Sequence, residues 1–327
     1  MGSKNKIINE LFKLFDELEF NSALDLFSGS SSVSYLLKSM GKKVISNDFM
    51  EFCSNISKSI IENSKTTLDS KDINKLFLVP KKYNKFVSNK FKNLYFSDFE
   101  NDLIDIVRHN ISNFKDEYKK ALAMSSLVKA CQKKRARGIF TYVGLRYDDG
   151  RKDLKKSLED HILDSIELFN NSVFDNRKNC KSLNQDFLKV KNSADLIYID
   201  PPYFSLLSDN DYIRRYHFIE GLSKNWDGLQ IQENTKTKKF KKYTSLFDTK
   251  LGSYNAIDLL IKKYQENIIV LSYSSNSIPD KKEIKNLANK YHKDCKIINI
   301  DHTYSFGTQK NLDNSKNKVE EYLFLIK

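Results

Sequence analysis

Long apolar runs are missing from this chain of 327 residues. A membrane-spanning helix needs about 20 consecutive apolar residues, and no stretch approaches that. The amino terminus, Met1-Gly2-Ser3-Lys4-Asn5-Lys6, has no apolar segment of the kind a signal peptide carries, so none is expected. Cysteine is scarce. Cys53, Cys131, Cys180 and Cys295 stand far apart, with neither metal-ligand spacing nor a disulfide pattern. That fits a reducing cytoplasm and gives no reason to expect a metal. There is no GxGxxG and no GxxxxGK[ST], so dinucleotide and nucleoside triphosphate binding are disfavoured. No internal repeat is found. Acidic residues are outnumbered, 42 against 55 basic, for a net charge of +13. Nucleic acid is the obvious partner for such a balance. The competing explanation is an AT-rich genome, which enriches Lys, Asn and Ile without any binding role.

What is present is a globular composition, 40% hydrophobic and 12% aromatic. The chain is long enough for one large domain or one domain with an insert. Lys6 to Glu19 reads as an amphipathic helix. Ala23 to Phe27 is a short apolar strand, followed by the small-residue loop Ser28-Gly29-Ser30-Ser31-Ser32. Val33 to Met40 reads as helix, Lys43 to Asp48 as a second strand, and Phe49 to about Thr66 as helix again. This βαβα opening predicts a doubly wound, mostly parallel sheet. The alternation then lapses into a Lys-rich, largely helical stretch, assigned as an insert over 71–153. A long helix resumes with Leu154, Leu158, Ile162, Ile166 and Phe169 on one face. Further strands are expected at 179–183, 195–199, 267–272, 295–300 and 319–326, the last pair forming an antiparallel end to the sheet. Residues 225–251, polar and rich in lysine, read as a mobile loop beside the site.

Three constellations carry chemistry. Ligands of doubly wound folds sit beyond the carboxyl ends of the strands, where small residues allow close backbone approach. The loop Phe27-Ser28-Gly29-Ser30 suits this, although a tight turn needs Gly29 in any case. Asp48 ends the next strand, where an acid accepts from the ribose hydroxyls of an adenosine-containing cofactor. Asp186, before Phe187 and after the strand at 179–183, is placed either to touch an adenine amino group or to cap a helix. The third is Asp200-Pro201-Pro202-Tyr203, directly after the apolar run 196–199. Two adjacent prolines fix their own φ and hold the preceding residue extended. A carboxylate, a carbonyl and a ring are thereby preorganised for a planar group bearing an NH2, such as a nucleobase. The plainer alternative is a proline-stiffened turn. The predicted strand ends share one sheet edge, so these sites should converge.

The tetrad, the Asp25-Leu26-Phe27-Ser28-Gly29 loop and the insert between them resemble the D12-type (DNA adenine methylase) N6-adenine DNA methyltransferases, in the motif order of their α group. The residues Tyr212 to Leu222, Val270 to Asn276 and Tyr304 to Thr308 are similar to later motifs, so the resemblance spans nearly the whole chain. It implies a Rossmann-like methyltransferase sheet formed by 1–70 and 154–327, with 71–153 as an inserted target-recognition domain. It implies S-adenosylmethionine as cofactor, held by Lys4, Asp25, Phe27, Ser28, Gly29, Ser30, Asp48, Phe49, Asp186, Phe187 and Asp200. It also implies double-stranded DNA as substrate, a prokaryotic cytoplasmic setting, a monomer, and a cognate restriction endonuclease within a restriction-modification system. Asp200 and the Pro201 carbonyl would accept the hydrogens of adenine N6, with Pro202 stiffening the turn and Tyr203 stacking on the flipped base. Tyr304 or Phe306 would cover its other face, core packing being the alternative for Phe306. Lys133, Lys134, Arg135, Arg137, Arg146 and Arg151 are the candidate DNA contacts, with Lys238 and Lys239 closing from the basic loop. Two departures stand out. Ser31 occupies the usual second glycine of the loop, and the amino-terminal motif is reduced to Gly2-Ser3-Lys4. The same acceptors would serve cytosine N4 or an RNA base, and a binding module that keeps a degenerate fold is the non-enzymatic alternative.

Overall fold

A computed structural model describes residues 4–144, 151–205, 212–300 and 320–327. Seven strands form one sheet: β1 (Ser22–Asp25), β2 (Lys43–Asn47), β3 (Lys181–Leu183), β4 (Leu196–Ile199), β5 (Ile268–Ser274), β6 (Cys295–Ile300) and β7 (Glu321–Ile326). Their order is β3-β2-β1-β4-β5-β7-β6. The first five are parallel, and β7 pairs antiparallel with both β5 and β6. The mostly parallel sheet with an antiparallel carboxy-terminal end is therefore as read from the apolar runs. Chain order reverses between β1 and β4, the switch point at which such sheets leave a crevice.

Alternation along the strands divides the core between two faces. Ala23, Val44, Leu196 and Tyr198 join one buried cluster, while Leu24, Ile45, Ile197 and Ile199 join the other. All four residues of β4 are buried, as a central parallel strand requires. The helices are α1 (Ile8–Asp16), α2 (Ser32–Ser39), α3 (Glu51–Ser57), α4 (Ser70–Phe77), α5 (Phe86–Lys90), α6 (Asp98–Ser112), α7 (Glu117–Lys133), α8 (Leu158–Asn171), α9 (Tyr212–Ser223), α10 (Lys250–Lys263) and α11 (Lys281–Ala288). Side-chain caps set several of their starts. Asp69 with Asp72, Ser97 with Glu100 and Asp280 with Glu283 form reciprocal boxes at α4, α6 and α11. Ser157 caps α8, so that helix starts at Leu158 and not at Leu154.

The expected helix over 49–66 is shorter. It begins after Asp48 and ends in a π-turn at Lys58–Glu62. The buried Lys38 ammonium closes that turn by donating to the carbonyls of Ile60 and Asn63, each at 2.8 Å. The stretch read as an insert, 71–153, carries most of α4 and all of α5 to α7. Its Phe91, Tyr95, Leu122 and Leu127 share one core with Val33, Leu37 and Phe52 of the sheet layer. Residues 225–251 include a short hairpin bridged between Ile231 and Phe240. Among the described residues no helix is long and apolar enough to cross a membrane.

Candidate active site

Four parallel strands end on one edge, and the loops beyond them line one cavity of about 700 Å³. From β1 come Asp25 and the loop Leu26 to Ser30; from β2, Asn47, Asp48 and Phe49. From β3 come Gln185, Asp186 and Phe187; from β4, Asp200, Pro202 and Tyr203. Lys4 reaches in from the 3₁₀ turn before α1, and the segment Lys242 to Asp248 forms a wall. Every residue expected to hold the cofactor thus meets the same space. Pro201 is buried behind it, beside the lining Asp200 and Pro202.

The loop after β1 is built for close approach. Gly29 has φ +51, and a β-carbon there would meet nothing within 4 Å. The Gly29 amide donates to Asp48 Oδ2 at 2.8 Å, and the Met50 amide donates to Asp48 Oδ1 at 2.8 Å. The acid is therefore locked to the loop it faces. Burial pushes its pKa up, against the pull of these amides. Ser31, at the unusual position, also has a left-handed backbone, with φ +59. Its side chain is fully buried and its hydroxyl lies 2.7 Å from that of Ser57, so it points away from the crevice. A chain of hydroxyls continues beneath the loop from Ser57 to Ser46 (2.9 Å) and from Ser46 to Ser34 (2.9 Å). Ser34 donates to Asp25 Oδ2 at 2.5 Å.

The other oxygen, Asp25 Oδ1, is buried and has no hydrogen-bond partner. Burial raises the Asp25 pKa to about 7. An orphaned carboxylate oxygen beside a cavity suits a ligand that brings a cation or a donor. Phe27, Phe187 and Phe247 form a cluster, with ring centroids 5.3 to 5.8 Å apart, and Phe49 meets Tyr243 at 5.0 Å. Asp186 Oδ1 accepts from the Leu188 amide at 2.9 Å, a turn cap that leaves the residue on the cavity wall. This donor set, an acid for hydroxyls, aromatic walls and an orphaned buried acid, fits an adenosine with a charged tail.

On the β4 side of the cavity, Asp200 Oδ1 accepts from the Tyr203 hydroxyl at 2.7 Å and pairs with the Lys4 ammonium at 3.0 Å. Burial raises the Asp200 pKa and Lys4 opposes that. Glu321, which opens β7, binds the same two donors. The sequence reading passed over it, though an acid heading an otherwise apolar strand was a usable signal. Tyr243 and Phe247 were also missed, because they lie in the segment read only for its charge.

The expected DNA contacts divide. Lys133 is half-buried and Arg137 is exposed, both at the end of α7 and beyond. Lys134 donates to the Lys156 carbonyl at 2.6 Å and pairs with Glu100 at 3.2 Å. Arg135 is corrected. It is 5% exposed, its guanidinium donates to the carbonyls of Tyr95, Gly144 and Tyr142, and it packs over the Tyr95 ring. It ties Tyr95 to the segment Tyr142–Gly144 and does not face solvent. Arg151 donates to the Arg135 carbonyl at 2.8 Å. Lys238 pairs with Glu233 at 3.4 Å, and Lys239 is half-buried in the hairpin. Arg146, Tyr304 and Phe306 lie outside the described residues.

Comparison with known proteins gives the family. A family model described as D12 class N6 adenine-specific DNA methyltransferase matches residues 1–306. The whole chain is 25% identical over 342 residues to the Type II methyltransferase M2.HphI of Haemophilus parahaemolyticus, covering 96% of that protein. It is 26% identical over 344 residues to the Type II methyltransferase M.CviAII of Paramecium bursaria Chlorella virus 1, covering 97% of it. It is 28% identical over 353 residues to the modification methylase StsI of Streptococcus sanguinis, spanning 51% of that longer protein.

Proposed function

The chain belongs to the D12 class of N6 adenine-specific DNA methyltransferases, and on that premise we propose that it methylates adenine N6 at one specific sequence of duplex DNA, using S-adenosylmethionine. The observation that carries this reading is the convergence of Asp25, Gly29, Asp48, Asp200 and Tyr203 on one cavity. Asp48 is the ribose acceptor, Asp25 Oδ1 faces the charged tail, and the Phe27, Phe49 and Phe187 walls hold the adenine. When bound, the cofactor supplies a methyl group activated by its sulfonium charge.

Adenine N6 is a poor nucleophile because its lone pair is delocalised into the ring. Asp200 and the Pro201 carbonyl accept its two hydrogens and favour a pyramidal nitrogen whose lone pair is available. The chain then needs mainly to align nitrogen and methyl and to stabilise the charge that builds on nitrogen. Transfer would form the nitrogen–methyl bond as the methyl–sulfur bond breaks, leaving the cofactor as a neutral thioether, and the Asp200 carboxylate would take the proton that N6 must lose. The target base must first leave the stack, at a cost of a few kcal/mol. The Tyr203 ring is the surface that receives it. The insert, 71–153, is the target-recognition element, with Lys133, Arg137, Arg151, Lys238 and Lys239 toward the phosphates. A restriction-modification setting with a cognate endonuclease is part of the same proposal, as the relatives' names as Type II and modification methylases suggest.

The test is incubation of the full chain with methyl-labelled S-adenosylmethionine and unmethylated genomic DNA, followed by nucleoside analysis. N6-methyladenine at one short motif is expected. Label in N4-methylcytosine, in RNA only, or nowhere would overturn the reading.

A further inference from the structure

One oxygen of the acceptor that this chemistry needs is already engaged. Asp200 Oδ1 is met by the Lys4 ammonium at 3.0 Å and by the Tyr203 hydroxyl at 2.7 Å. A second carboxylate takes the same two donors. Glu321 Oε1 is hydrogen-bonded by Lys4 and by the Tyr203 hydroxyl, the latter at 2.9 Å. It also receives the Ser272 hydroxyl at 2.8 Å. Glu321 reaches this edge because β7 runs antiparallel. Its first residue, opposite Ser274 in the register, meets the carboxyl ends of the parallel strands. The Glu321 side chain is 1% exposed and that of Lys4 is 8% exposed.

Two carboxylates therefore share one ammonium and one hydroxyl, Glu321 and Lys4 buried and Asp200 17% exposed on the cavity wall. Burial pushes the Glu321 carboxyl up, but Lys4 and the hydroxyl donors hold it below its ordinary range. Tyr203 has one hydroxyl proton and can satisfy one carboxylate at a time. A carboxylate that also serves an ammonium and a hydroxyl is a weaker acceptor for a substrate amine, so Asp200 gains acceptor strength as Lys4 and Tyr203 turn to Glu321. Glu321 offers the Lys4 ammonium and the Tyr203 hydroxyl a buried anion to turn to, which lowers the cost of that shift. We propose that Glu321 is a positioning residue that takes over Lys4 and the Tyr203 hydroxyl when a substrate amine claims Asp200. The proposal rests on the methyl-transfer reading above and adds to it the group that unmasks the acceptor.

A double-mutant cycle on the full chain tests it. Glu321→Gln keeps the shape and removes the charge. In the Lys4 background it is expected to lower kcat by about tenfold or more, with DNA KM and S-adenosylmethionine Kd within roughly threefold. In a Lys4→Met background there is no ammonium to park, and the same replacement is expected to change kcat by less than about threefold. Equal factors in both backgrounds, or a loss confined to cofactor affinity, would overturn the proposal. Should Glu321→Gln fail to fold, Ser272→Ala serves. A loss of roughly two- to fivefold is expected with Lys4 and none with Met, and additivity again overturns it. If the unaltered chain methylates DNA and the cycle is additive, only this inference fails. If the unaltered chain transfers no methyl group to DNA, the functional reading fails first.

Discussion

The Gly29 amide donates to the Asp48 carboxylate at 2.8 Å, across 19 residues of chain. One bond joins the loop after the first strand to the acid that ends the second. The acid cannot shift without the loop, and the loop cannot close without the acid. Asp48→Ala is therefore expected to weaken S-adenosylmethionine binding by about 10- to 100-fold, the range for a lost charge-assisted bond and a loosened loop. Calorimetric titration checks this. Unchanged affinity would remove Asp48 from the cofactor.

Asp200 separates chemistry from binding. Asp200→Ala is expected to abolish methyl transfer while S-adenosylmethionine affinity stays within about threefold, since the carboxylate acts on the amine. Single-turnover transfer and equilibrium binding decide the matter. Parallel loss of both would make Asp200 a structural residue.

Ser31 departs from the family pattern without damage to the crevice. Its left-handed backbone favours glycine by roughly 1 kcal/mol, and its hydroxyl bond to Ser57 returns about as much. Ser31→Gly is accordingly expected to leave stability within about 1 kcal/mol and cofactor affinity within about threefold. A tenfold change in affinity would show that the hydroxyl chain beneath the loop, down to Asp25, orders the site.

Much of this was legible because it rests on local pattern. Apolar runs at Ala23 to Phe27, before Asp48 and before Asp200 marked strands whose ends share an edge, and that edge is the cavity. Helix starts were blurred where a cap decides them, as Ser157 does for α8. The long-range partners were not legible. Nothing near Arg135 in the sequence says that three carbonyls enclose it, and its basic neighbours made it look exposed. Lys38 closing a π-turn is hidden for the same reason. Glu321 needed the antiparallel reversal of β7 to reach Asp200. A charge count records such groups as surface, while the fold spends them inside.

That distinction is testable within one short basic run. Arg135→Ala removes a buried guanidinium and leaves the carbonyls of Tyr95, Gly144 and Tyr142 without their donor, and is expected to cost roughly 2–4 kcal/mol of stability. Arg137→Ala, at an exposed position, is expected to lower the melting temperature less than Arg135→Ala does and to lower the salt dependence of DNA binding by about one unit of slope. Thermal melts and binding across a salt series read both. Arg135→Ala at native stability with weakened DNA binding would return that residue to the interface.

Glu220 provides a pH signature. It lies fully buried on α9 and accepts from the Glu51 and Phe52 amides at 3.1 and 3.2 Å, capping the start of α3 beside the Asp48 loop. Burial raises its pKa from 4.5 to about 7, against the pull of those amides and of Lys224 at 3.9 Å. Between those values the folded chain holds a proton that the unfolded chain has lost. The stabilisation this gives is complete below pH 4.5 and disappears as pH rises through 7. Asp25, raised to about 7, acts with the same sign, while His217, lowered to about 4 by burial, acts with the opposite sign over its own range. Those two groups are common to both proteins when wild type is compared with Glu220→Gln, and they cancel. The difference in unfolding free energy, variant minus wild type, is expected to move in the variant's favour by roughly 3 kcal/mol between pH 4 and 8. Denaturant titrations at five or six pH values would measure it. A flat difference would mean that Glu220 is ionised in the folded chain throughout, held as the charged cap of α3.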